Sequence, residues 1–163
     1  DVLGSRGLGD VYKRQMPGRV QNVYAHSSGG GKFIAVIQFK KTVPSDEGRQ
    51  RQAALLAFSA FPELKQVILV DEDVDIFDTN DVLWAMTTRM QADVDIVTIP
   101  GVRCHPLDPS NDPACSWSIR DHGIACKTIY DATVPFNQKA RFQRAKFMEV
   151  DVKKFLPDFT VQD

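Results

Sequence analysis

From residue 19 onward the chain alternates between two-residue and helical spacings of its apolar positions. Residues 20–26 (VQNVYAH) read as a strand, 27–31 (SSGGG) as a glycine-rich turn and 33–39 (FIAVIQF) as a second strand, which together predict a β-hairpin. Residues 40–48 form a polar connection containing Pro44. Ser45 or Asp46 is placed to cap a helix running to about Phe61, with Ala54, Leu55, Phe58 and Phe61 on its buried side. The run 67–70 (VILV) is uninterrupted and rich in β-branched residues, as in a strand buried on both faces of a parallel sheet. Asp78 or Thr79 then caps a second helix with Val82, Leu83, Met86 and Met90 facing inward, and residues 95–99 (DIVTI) give another strand. This order predicts an α/β fold: a doubly wound, largely parallel sheet with an N-terminal hairpin and right-handed crossovers. A proline-rich segment over 100–117 follows, then a last short strand over 127–130 and an amphipathic, basic element over 136–147.

Residues 1–15 (DVLGSRGLGDVYKRQ) do not share this patterning and look like translated adaptor sequence. Gly4, Gly7 and Gly9 follow no strand and do not make a dinucleotide fingerprint. Fold reasoning therefore takes residues 16–163 as one α/β domain.

Composition narrows the function. With 163 residues, 43% hydrophobic and 25% charged, the chain can bury a sizeable core as a single domain. A net charge of −1 gives no basic footprint, so neither nucleic acid nor an anionic membrane is an expected partner. No apolar run approaches the length of a membrane span, and the start has no signal-peptide core. Cys104, Cys115 and Cys126 are odd in number and lack C-x-x-C spacing, so reduced thiols in a cytoplasmic protein are expected.

The chemistry concentrates at the end of the 67–70 run, where six carboxylates follow within residues 71–81 (DEDVDIFDTND). An Asp-x-Asp at a strand end can hold a divalent cation, as in nucleotide-sugar glycosyltransferases, which would use Asp71 and Asp73. The reading favoured on frequency is structural: Asp78 and Asp81 serve the second helix, and the others accept backbone N–H groups or pair with Arg89 or Arg103. Arg89 itself, in the last turn of that helix, suits the helix dipole and could equally fork onto a carboxylate or phosphate. HSSGGGK lacks the Walker spacing: His26 stands where a glycine is needed and Phe33 where Ser or Thr is needed. Arg103, Cys104, His105, Pro106, Leu107, Asp108 and Pro109 form a stiff loop. Adjacent Cys and His in extended backbone point opposite ways, which speaks against a nucleophile and for a loop that shapes a pocket wall or a subunit contact. His122 reads as a surface or turn histidine.

Taken together, VILVDEDVDIFDTNDVLWAMTTRMQADVDIVTIPG, HPLDPS and KTIYDATVP resemble the C-terminal domain of the UbiD-type decarboxylases. NVYAHSSGGGKF, PSDEGRQRQAALLAF and IRDHGIACKTIYDATVPF are similar to the branch that contains gallate decarboxylase. The resemblance runs from about Met16 to the end. It implies non-oxidative decarboxylation of hydroxylated aromatic acids by a homo-oligomer (dimer or higher), assisted by prenylated FMN, Mn2+ and K+.

In that family the catalytic Glu residues lie in an E-G-P-x-G-E-like segment, and the metal ligands lie in the same region. This chain contains no such segment. The chain is therefore expected to be a truncated reading of a longer gene, with cofactor and metals bound mainly upstream. No catalytic or metal residue is assigned in it. The resemblance makes His105, Pro106 and Leu107 the candidates for a wall of the substrate pocket. Two other readings stay open: a non-catalytic assembly or docking domain, and the metal-dependent sugar transferase using Asp71 and Asp73. The transferase needs an upstream nucleotide-binding strand and loop that the sequence does not provide.

Overall fold

The computed structural model describes residues 12, 14–111, 114, 123–145 and 154. The expectations for residues 1–11, Cys115, Trp117, His122 and the 146–147 end of the basic element lie outside the described residues.

Five strands form one mixed sheet: β1 (Val20–Ala25), β2 (Ile34–Phe39), β3 (Gln66–Asp71), β4 (Ile96–Arg103) and β5 (Ile124–Ala132), in the order β1-β2-β3-β5-β4. β1 and β2 are the expected hairpin, joined through a turn in which Gly30 takes φ 62°. The centre of the sheet is parallel, β2 with β3 and β3 with β5, and both edges are antiparallel. The short strand expected over 127–130 is thus a nine-residue central strand.

Helix α1 (Arg49–Ala60) lies on one face of the sheet and α2 (Thr79–Arg89) on the other. Ala53, Ala54, Ala57 and Phe58 of α1 are buried against Ala35, Ile37, Phe39, Val67, Leu69 and Ile129. Small alanines let the helix backbone approach the sheet closely, and each large apolar side chain buried here is worth roughly 1.5–3 kcal/mol. Tyr12 joins this core, its hydroxyl donating to the Ala53 carbonyl at 2.7 Å. On the other face Val82 and Ala85 of α2 pack with Val36, Ile68, Val70, Val74, Ile76 and Ala132.

Two inward assignments are corrected. Leu55 is 48% exposed and Leu83 is 51% exposed. At roughly 100° per residue each stands far around its helix from the Ala54–Phe58 or Val82–Met86 stripe, and the alanines fill the inward positions instead. Asp46 does not cap α1 either. It is buried in its own 3-10 turn (Pro44–Asp46), and Gly48 at φ 86° begins α1.

The expected crossover after β3 is also replaced. Residues 72–78 run back across the face of the sheet, burying Val74 and Ile76. α2 therefore starts at the amino end of the parallel strands, where His26 Nε2 meets Thr79 Oγ1 at 2.9 Å. It finishes at their carboxyl end, where Arg89 reaches Asp71. The next strand, β4, has to run the other way, and β5 inserts between β3 and β4.

At its own C-terminus α1 has no basic residue in its last turn. Lys127 of β5 takes that role. Its ammonium is buried, donates to the carbonyls of Pro62 (2.7 Å) and Leu64, and lies 5.1 Å from the centre of the Phe58 ring.

Candidate functional site

The carboxyl end of β3 holds the acid cluster, and its groups are matched one to another. Arg89 is the hub, with its side chain only 2% exposed. Nη1 donates to Asp71 Oδ2 at 2.9 Å and to Asp73 Oδ1 at 2.8 Å, while Nη2 donates to Asp73 Oδ2 at 2.6 Å. Asp71 Oδ2 also accepts the Val134 N–H at 2.8 Å. Glu72 accepts from Lys139 Nζ through both oxygens, at 3.0 and 2.9 Å. Asp78 caps α2 by accepting the Asn80 N–H at 2.9 Å, Asp75 accepts the Phe77 N–H, and Asp81 accepts the Asp75 N–H at 2.7 Å. The structural reading of the cluster is the one found: of the two arginines expected, Arg89 is the one on Asp71 and Asp73, and Lys139 and Arg144 add cations from further along the chain.

Burial pushes the Asp71 carboxyl above the ordinary carboxylate range, against the opposing Val134 N–H and Arg89 charge. Burial also acts to raise Asp73, but its two bonds from Arg89 outweigh it and hold that carboxyl below the ordinary value. A metal at Asp71 and Asp73 would have to displace a buried guanidinium. Among the described residues no group of three or more His, Cys, Asp or Glu could hold a metal ion. The donor set therefore does not fit Mn2+, and the Asp71–Asp73 transferase reading loses the two ligands it needs. Next to this cluster lies a cavity of about 720 Å³ lined by Asp71, Arg89, Val134, Lys139, Phe142 and Arg144 among others.

The amino end of the same strands is built differently. There the loop 104–111 is pinned at several points. Cys104 is buried, its N–H donating to the Gly123 carbonyl at 2.8 Å and its thiol to the Glu63 carbonyl at 3.5 Å. His105 Nδ1 accepts the Leu107 N–H at 3.1 Å, and the ring stands edge-on to Phe33 at 5.9 Å. With its thiol on a backbone carbonyl, Cys104 meets no histidine base among the described residues.

Buried Asp108 accepts from Lys65 Nζ at 2.8 Å and from Ser110 N–H and Oγ at 3.0 and 2.8 Å. Those bonds outweigh the raising effect of burial and hold its carboxyl below the ordinary value. Asn111 is buried and donates to the His105 carbonyl at 3.3 Å. The result is a fixed frame whose apolar tip faces out: Leu107 is 81% exposed, beside exposed Pro106. The glycine-rich turn meets the same loop, and a cavity of about 270 Å³ between them is lined by Ser28, Gly29, Phe33, Ile34, Lys65, Gln66 and Asp108.

Sequence reasoning singled out the turn and the loop separately and missed that they converge. Lys65 lines the cavity between them and pairs with Asp108 of the loop, and opposite charges 43 positions apart carry no local signal. Lys139 and Arg144 were visible only as part of a basic stretch. Their partners are acids that sequence reasoning had assigned elsewhere.

Comparison with known proteins supplies what the geometry leaves open. Residues 5–132 match the family described as 3-octaprenyl-4-hydroxybenzoate carboxy-lyase C-terminal domain. The chain is 57% identical over 148 residues to gallate decarboxylase of Lactiplantibacillus plantarum, covering 90% of this chain and 30% of that enzyme. The apo structure of 3,4-dihydroxybenzoic acid decarboxylase from Enterobacter cloacae superposes with a TM-score of 0.87 at 59% identity, over 95% of this chain and 32% of that one. The UbiD-class enzyme HmfF from Pelotomaculum thermopropionicum, in complex with FMN, gives a TM-score of 0.79 at 30% identity, over 96% and 32%. An evolved dimeric form of that enzyme, in complex with prFMN, gives 0.66 at 25% identity, over 97% and 28%. The chain thus spans about 30% of the length of the gallate decarboxylase it matches.

Proposed function

Because this chain belongs to the UbiD family, as its C-terminal domain, we propose that it forms part of a non-oxidative decarboxylase for hydroxylated aromatic acids of the gallate or dihydroxybenzoate type. The observation that carries the reading is 57% identity across 90% of the chain with an enzyme named for gallate. Prenylated FMN is the cofactor of this proposal, supported by the FMN- and prFMN-bound UbiD-class neighbour. In the full enzyme it supplies the electron sink for loss of carbon dioxide. Mn2+ and K+ accompany it in this proposal, and all three are assigned mainly to the rest of the enzyme, this chain spanning about 30% of the gallate decarboxylase it matches.

Within this proposal the chain's own residues act at the pocket edge. His105, Pro106 and Leu107 provide a wall on a loop held by Lys65, Asp108 and Asn111. A wall fixed in this way orients an aromatic ring and excludes water without reorganising when substrate arrives. The enzyme works as a cytoplasmic homo-oligomer. Among the described residues no helix is long and apolar enough to cross a membrane.

The test uses the complete gene product reconstituted with prenylated flavin and assayed for carbon dioxide release from gallate and 3,4-dihydroxybenzoate. Release from one or both is expected. A loaded enzyme that leaves every phenolic acid intact overturns the substrate class. In the same enzyme, Leu107→Ala is expected to raise KM several-fold with little change in kcat. An unchanged KM removes the loop from the pocket wall.

A further inference from the structure

The chain leaves the sheet through a peptide fixed on both sides. The Val134 N–H donates to Asp71 Oδ2 at 2.8 Å, and the Val134 carbonyl accepts from Lys41 Nζ at 3.1 Å. After Pro135 the character of the contacts changes. No residue of the 3-10 helix Phe136–Arg141 is buried, and Phe142 is half-buried.

This stretch is held mostly by charge. The Phe136 N–H donates to Glu47 Oε2 at 2.9 Å. Lys139 Nζ sits on both oxygens of Glu72 and on the Lys41 carbonyl at 3.2 Å. Arg144 donates to Asp81 at 2.7 Å, lies 3.4 Å from Asp73, and stacks its guanidinium 4.0 Å from the centre of the Trp84 ring. Arg89 approaches the same indole at 4.9 Å. Residues 139 and 142–144 form one wall of the 720 Å³ cavity, and Asp71 and Arg89 lie in the wall beneath them. Asp71 Oδ1 and Arg89 Nε are buried without a hydrogen-bond partner.

Exposed ion pairs weaken as salt screens them, whereas apolar packing does not. The two sides of Pro135 therefore differ in what loosens them. We propose that residues 136–144 form an electrostatic strap, hinged at Pro135, that opens as a unit when its charges are screened. Opening uncovers the Asp71–Arg89 cavity while the sheet stays folded.

Hydrogen exchange on the full 163-residue chain at about 0.1 M and about 1 M NaCl tests this, because the screening length falls from about 10 Å to about 3 Å over that range. The amides of Phe136, Gln138 and Phe142 are expected to lose protection about tenfold at the higher salt, with residues 67–70 unchanged. In a Trp117→Phe background the emission of Trp84 is expected to shift over the same range as Arg144 leaves its ring. Glu72→Gln is expected to give fast exchange in 136–142 already at low salt, with the salt effect much reduced. Arg144→Gln provides the same reading if Glu72→Gln folds poorly. Protection in 136–142 that ignores salt, or that is lost only together with 67–70, overturns the strap.

Discussion

The two ends of the parallel strands are both rich in polar side chains, but they use them to opposite effect. At the carboxyl end the acids are matched internally: Asp71 and Asp73 by Arg89, Glu72 by Lys139, and Asp78 and Asp81 by backbone N–H groups. At the amino end the polar groups pin a loop from behind, and what faces outward is apolar, with Leu107 at 81% exposure. The end with the more suggestive chemistry is the locked one. The plainer end presents Leu107 and Pro106 to the outside on a loop pinned from behind, the surface that the proposed pocket wall would use. Charge density along a sequence shows where electrostatics must be resolved and says nothing about whether the solution is internal.

The sharpest way to break this contrast is to remove the lock. Arg89→Met keeps the aliphatic bulk but leaves Asp71, 5% exposed at its side chain, buried without its cation. A loss of about 3–5 kcal/mol in urea unfolding is expected, because breaking a buried pair from one side strands the other charge. Adding Asp71→Asn should recover much of that loss, since no stranded carboxylate then remains. A cost below about 1 kcal/mol for Arg89→Met would mean that the acids are solvated and that the carboxyl end is not locked.

Smaller effects sharpen the comparison through pH. Burial alone would raise the Asp46 carboxyl, but it accepts from Arg19 at 2.8 Å, Thr42 N–H at 2.8 Å and Val43 N–H at 3.2 Å, and is held down to about 2. Between that value and the ordinary 3.8 the unfolded chain binds more protons. The contribution of Asp46 is therefore present above pH 3.8 and is lost as pH falls toward 2. Asp46→Asn should flatten this acid limb.

At the amino end, burial lowers Lys127 below 10.5. In the window under 10.5 the unfolded chain again binds more protons, so stability rises with pH there as the cost of burying the charge is relieved. Lys127→Met should remove that alkaline rise. At neutral pH it should cost up to about 1–3 kcal/mol by leaving the Pro62 and Leu64 carbonyls without a donor. Chemical denaturation across pH reads both windows. An alkaline rise that persists in Lys127→Met excludes Lys127 as its source.

Most of the scaffold was legible because its signals are local. The hairpin, both helices and the buried 67–70 strand follow from spacing and turn residues, with the Asp78 cap marking the start of α2. The order of these elements predicted the α/β class, and the resemblance to the UbiD family agreed with it. What could not be read were choices made between distant segments. Leu55 and Leu83 look inward on hydrophobicity alone, yet alanines won those positions because the helices lie close to the sheet. The antiparallel run of β4 depends on residues 72–78 crossing the sheet face, which the acids in that segment disguise as a loop. Lys65 with Asp108, and Lys139 with Glu72, are pairs that only the fold assembles.

The smallest expected effect bears most directly on function. Leu107 is held in place by its neighbours, its N–H donating to His105 Nδ1, while its own side chain packs on little of the described domain. Leu107→Ser should leave the stability of this chain within about 0.5 kcal/mol of the parent, as for an exposed position away from caps and ion pairs. The backbone bond to His105 does not depend on the side chain, so the loop keeps its shape. A loss above about 1 kcal/mol would show that Leu107 is packed within the domain, and the amino end would then be as self-contained as the carboxyl end. A neutral result together with a raised KM in the complete enzyme would separate the two ends fully: one spends its side chains on its own fold, and the other keeps an apolar face for what lies beyond it.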